Sequence, residues 1–152
     1  MKKVDDHLSQ LFPAQLITYA ERINMPYLGY HLLRHYLFEK VLGESESPML
    51  YWLGKDLSKQ LTLDTTDSLS LLFIRLGLGN LTLLKRETDR YVFELSHPLY
   101  EFMPVDRLRQ TLSFESGLIA GIVSDWHGRP AHAALELYQG SGGYKARIII
   151  TS

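Results

Sequence analysis

The 152-residue chain has no cysteine. That one absence excludes disulfides, thiolate nucleophiles, iron–sulfur clusters and cysteine-based zinc sites. Charge of either sign is not in excess: 16 Lys and Arg stand against 17 Asp and Glu, a formal net charge of -1. A nucleic-acid binder would show a basic surplus, so none is expected as a partner. No apolar run reaches the length of a membrane span. The opening Met1-Lys2-Lys3-Val4-Asp5-Asp6 lacks the apolar stretch of a signal peptide. These readings together lead to an expectation of cytoplasmic residence.

What remains has the make-up of one folded domain over residues 1–152, with 45% hydrophobic and 22% charged residues. Residues 1–25 read as a polar arm or a short helix, with Pro13 in its first turn. From Tyr27 to Leu42 the pattern is helical and apolar on two sides. One stripe holds Tyr30, Leu33, Tyr36, Leu37 and Val41. The other mixes Leu28, Phe38 and Leu42 with His31, Arg34 and His35; Leu28, His31, His35, Phe38 and Leu42 of it are a candidate dimer interface, since a helix with two apolar faces lies between two bodies. Gly43 stops it, and Glu44 to Pro48 read as loop before a helix from Met49 to about Leu61.

Asp64 to Asp67 offer cap oxygens for a third helix that turns Leu69, Leu72, Phe73 and Leu76 inward. Leu81–Glu87 and Tyr91–Ser96 form a hairpin, and residues 97–112 read as a loop with a turn of helix. Ser113 caps a helix from Phe114 to His127, closed by Gly128 and Pro130. Ala131–Tyr138 and Tyr144–Thr151 make a last hairpin around Gly140 to Gly143. Its pattern selects a register with Leu137 opposite Ala146, Leu135 opposite Ile148 and Ala133 opposite Ile150. The fold class is α+β: N-terminal helices, then hairpin, helix and hairpin, forming a four-stranded antiparallel sheet with helices packed on it.

Few residues carry a chemical pattern. His31, His35 and Glu39 recur at helical spacing, but Arg34 beside His35 opposes a divalent ion. Ser96-His97-Pro98 and Asp125-Trp126-His127 bring hydroxyl, imidazole and carboxylate groups without a nucleophile turn, and Glu115-Ser116-Gly117 lacks the preceding glycine that such a turn needs. Gly140 to Gly143 sit between strands, with no helix N-terminus and no Lys-Ser/Thr behind them. No catalytic, cofactor-binding or metal-ligating residue is assigned. Gly117 and Gly121 inside a helix, each costing about 1 kcal/mol against alanine, point to a sheet, a helix or a ligand approaching the backbone closely.

Met49 to Leu57 resemble the second helix of the YslB-like family of Gram-positive bacterial proteins, Leu76 to Thr82 its glycine-bearing lead-in to the first hairpin, and Phe114 to Ala120 its helix start. These pieces cover roughly residues 27–150 in order. The family is similar to a broader fold of vinyl-reductase-type sensor domains, transport-protein-particle subunits and haem nitric-oxide-binding domains. The resemblance implies an apolar cavity between helices and sheet, and a homodimer formed through the N-terminal helices. Cysteines near the last hairpin of vinyl-reductase-type domains are missing, and Tyr144-Lys145-Ala146-Arg147 does not match the haem motif Tyr-x-Ser-x-Arg. The expected function is therefore a non-enzymatic domain for an apolar small molecule, acting as a homodimer. The alternatives are an interaction module without a cavity and, third, an enzyme. Candidate cavity residues are Trp52, Phe73, Leu76, Phe93, Phe114, Gly117, Leu118, Gly121 and Trp126, each also explicable as core.

Overall fold

A computed structural model describes residues 7–24 and 26–152. The first six residues of the arm lie outside the described residues; the short helix expected there is α1, Ala14–Arg22, preceded by Pro13. Residues 28–42 form one helical stretch of three parts: α2 (Leu28–Leu32), a π-helical turn (Leu33–Leu37) and α3 (Phe38–Leu42). Gly43 ends it at φ +54°, a conformation that costs glycine little.

The next helix, α4, starts earlier than expected, at Glu46, and runs to Ser58. Pro48 lies in its first turn, where a missing N–H costs nothing, so the polar stretch read as loop is already helix. Helix α5 (Thr66–Arg75) is capped by Thr65, whose hydroxyl accepts from the Ser68 N–H at 3.1 Å. Leu69, Leu72 and Phe73 point into the core as expected. Residues 97–112 hold more than one turn: a 3-10 turn (Pro98–Phe102), then helix α6 (Val105–Thr111). Helix α7 follows at once, Ser113–His127, with Ser113 as its first residue rather than its cap.

The strands are β1 (Asn80–Arg86), β2 (Arg90–Ser96), β3 (His132–Gly140) and β4 (Gly143–Thr151), in the antiparallel order β1-β2-β4-β3. The two hairpins thus join through their second strands, Phe93 facing Ile148 and Tyr91 facing Ile150. In the last hairpin Leu137 pairs with Ala146, Leu135 with Ile148 and Ala133 with Ile150, the register expected from alternation. The pairing continues to Gly140 and Gly143, so the turn is tighter than a four-residue loop.

One face of the sheet receives α5 and α7. Phe73, Phe93, Leu95, Leu118, Ile119, Ile148 and Ile150 are fully buried between them. Helix α7 is buried on nearly every side, because it lies on β3 and β4 and also against α4. That second contact positions the site.

Candidate functional site

Helices α4 and α7 touch at residues that climb together: Ser47 bonds Ser113 at 2.6 Å, Gly54 meets Leu118, and Ser58 meets Gly121. They therefore run parallel, although α5 and a hairpin separate them in the chain. The contact is backbone to backbone. A Cβ on Gly54 would stand 2.2 Å from the Phe114 carbonyl oxygen, and one on Gly121 would stand 2.0 Å from the Ser58 hydroxyl. The close approach signalled by Gly117 and Gly121 is thus another helix. Tyr51 reaches across α7 to the sheet, where its hydroxyl oxygen accepts from the Ala133 N–H at 3.1 Å.

The inner stripe of α4 is Glu46, Leu50, Gly54 and Ser58, so its opposite side carries Met49, Trp52 and Leu53 to the surface. Beside them runs a groove of about 900 Å³, bordered on α7 by Gly121, Ser124 and Asp125 and closed off by Leu61 and Pro130. The Lys55 ammonium stands 5.4 Å from the ring centres of both Tyr51 and Trp52, and burial lowers its pKa.

The stretch over residues 28–42 is inverted relative to an ordinary surface helix. Its one buried residue is Arg34, flanked by half-buried Tyr30, His31, His35 and Leu42. Leu28, Leu32, Leu33, Tyr36, Leu37, Phe38 and Val41 are exposed, Leu28 at 78% and Val41 at 80%. Leu33, Tyr36, Leu37 and Val41 face outward. Of the residues assigned to an interface, Leu28 and Phe38 point outward, whereas His31, His35 and Leu42 face the body of the molecule. The cause is the Arg34 anchor, together with a π-turn that widens the helix and shifts the phase of everything after it.

Arg34 is held from four directions. Its Nε–H donates to the Thr111 hydroxyl and its Nη2 to the Thr111 carbonyl, both at 3.0 Å. Nη2 also donates to the Glu115 carboxylate, and Nη1 to the Tyr30 hydroxyl. Burial opposes the Arg34 charge, but the Glu115 carboxylate outweighs it and keeps the guanidinium protonated. Around this pair lie Tyr27, stacked on His97 at 5.7 Å with its hydroxyl donating to the Gly77 carbonyl, and Tyr100, whose buried hydroxyl has no hydrogen-bond partner among the described residues. They enclose a space of about 20 Å³, water-sized. Burial, reinforced by Arg34, His31, Arg107 and His97, pushes His35 down to about 3. Burial also lowers His97 and raises Tyr100. Among the described residues no three His, Asp or Glu side chains gather as a metal site.

The nine candidate cavity residues separate into three places. Phe73, Phe93 and Leu118 are fully buried in the core, with Leu76, Phe114 and Trp126 packed at its edge. Gly117 is at the helix crossing, and Trp52 and Gly121 border the outer groove. Sequence reasoning named Arg34 and Glu115 without joining them, and passed over Thr111 and Tyr100. A charged residue amid leucines in one helix, and another amid Phe114, Leu118 and Ile119 in a second, were the available signal.

Among the described residues no helix is long and apolar enough to cross a membrane. Comparison with solved structures finds a likeness to a vinyl-4-reductase family protein from Methanocaldococcus jannaschii, with a TM-score of 0.57 and 22% identity over 99% of this chain and 98% of that one. The likeness is one of fold, the vinyl-reductase type. Among curated proteins, "Uncharacterized protein YslB" of Bacillus subtilis (strain 168) is 28% identical over 104 residues, 68% of this chain and 70% of that protein. Residues 27–150, from Tyr27 to the last strand, match the family model described as "Protein of unknown function (DUF2507)", and the chain belongs to that family.

Proposed function

We propose that the chain is a non-catalytic docking domain that works in the cytoplasm as a homodimer, paired through the outward face of residues 28–42. The observation that carries this reading is the inversion of that stretch, with Arg34 inward and seven large apolar side chains outward. A contiguous apolar face of this kind marks an interaction surface. A second copy suits it because the net charge of -1 gives little repulsion between copies. Adjacent Glu39 and Lys40 on the same stretch also allow opposite charges to meet across a two-fold axis.

Two of the imidazoles are engaged in local structure. The His97 Nδ1 accepts from the Leu99 N–H, and the His127 Nδ1 bonds the Ser152 hydroxyl at 2.7 Å. Multi-angle light scattering at micromolar concentration tests the reading. The expected mass is twice 17.5 kDa, falling to that of one chain in Leu33→Glu or Val41→Glu. A native chain that runs as a monomer defeats it.

A further inference from the structure

The groove along α4 has features that packing does not explain. Its lining on this side runs from Pro48, in the first turn of α4, past the end of the helix at Ser58 to Thr62, so at 1.5 Å per residue the helical part alone makes a trough roughly 15 Å long. A volume of about 900 Å³ spread over that length suits a slender ligand rather than a compact one. The exposed side chains of Met49, Trp52 and Leu53 make one half apolar.

The charges in the trough are unevenly matched. Lys59 lies 3.6 Å from Asp56. Lys55 has no carboxylate partner among the described residues; its only close company is the rings of Tyr51 and Trp52, and burial alone accounts for its lowered pKa. Asp125 borders the trough from α7, beside Pro130 at the far end from Met49, and would repel an anion there. A cation at mid-length, an acid at one end and an apolar wall toward the other define a polarity for the occupant.

We propose that this trough is a binding site for a free medium-chain carboxylate, with the carboxylate on the Lys55 ammonium and the alkyl chain along Trp52, Leu53 and Met49. The site is separate from the outward face of residues 28–42, and it lies outside the helix pair rather than between helices and sheet. Ligand binding to Lys55 replaces a cation–π contact with a charge-assisted hydrogen bond in a partly desolvated place, where such bonds are strong.

Calorimetric titration of the intact chain with decanoate, below its micellar concentration, tests this. Saturable binding of one decanoate per chain is expected, with decanol at least tenfold weaker. Lys55→Gln is expected to weaken decanoate at least tenfold and leave decanol unchanged, while Leu53→Asp weakens both. The melting temperature of each variant reports that it is folded. The proposal is overturned if decanol binds as well as decanoate, if Lys55→Gln leaves decanoate binding intact, or if the chain takes up decanoate only from vesicles or micelles. Light scattering on the same samples keeps the homodimer reading separate, since dimer mass does not depend on decanoate.

Discussion

The Cβ that Gly117 lacks would lie 1.9 Å from the carbonyl oxygen of Tyr51, far inside any non-bonded contact a real Cβ makes. Helices α4 and α7 are therefore locked at a distance that no side chain at this position permits.

Gly117→Ala is expected to lose about 3 kcal/mol by overpacking, even though alanine favours a helix by about 1 kcal/mol over glycine. Gly29, also helical, has nothing within 4 Å of its missing Cβ. Gly29→Ala should gain up to about 1 kcal/mol. Urea unfolding of both variants measures the contrast, and equal stabilities would remove the close-crossing argument.

Breaking the Arg34–Glu115 pair from one side leaves a buried charge alone. Arg34→Met is expected to cost about 3–5 kcal/mol, whereas adding Glu115→Leu to it should restore a large part of that loss. A double-mutant cycle by denaturant melts reads the coupling. Purely additive losses would show that the pair does not anchor the helix.

Acid should weaken the fold through His35. Its folded pKa of about 3 lies below the ordinary value near 6.5, so the unfolded chain binds the proton more readily. Stability is full above pH 6.5 and declines as the pH falls from there toward 3. Allowing for its partial exposure, the expected loss at pH 5 is about 1 kcal/mol. His35→Gln should flatten this part of the pH profile, and a variant with the native slope would exclude His35 as its source.

The cross-strand pair Glu136–Arg147, 3.9 Å apart and exposed on both sides, should matter little. Glu136→Gln is expected to cost less than about 1 kcal/mol in a thermal melt.

The sheet was legible because its signals are local. Ile148 and Ile150 alternate with Arg147 and Ile149, and the same alternation places Ala133, Leu135 and Leu137 on their side; a slip by one residue would mix the faces, although a shift by two would not. Helix α5 carried its own cap in Thr65, and α5 and α7 both carried runs of apolar residues. The orientation of residues 28–42 was not legible, because periodicity assigns the apolar side inward, and here a single arginine with partners far along the chain decides otherwise. The outer groove escaped for a related reason. Trp52 reads as core by its type, yet the stripe of Glu46, Leu50, Gly54 and Ser58 takes the inner position on α4 and turns the indole out.

The Arg34 anchor also sets an order of events during synthesis. Thr111 and Glu115 follow Arg34 by 77 and 81 residues. At about 5–20 residues per second, the ribosome delivers them roughly 4–16 s after the arginine. For that interval the leucine-rich segment has been made but has no dock, and it is open to chaperones, to membranes and to its twin on a neighbouring polysome. Pairing with a second nascent chain would shield its outward leucines before the inward contacts exist, so assembly of two chains would precede completion of either.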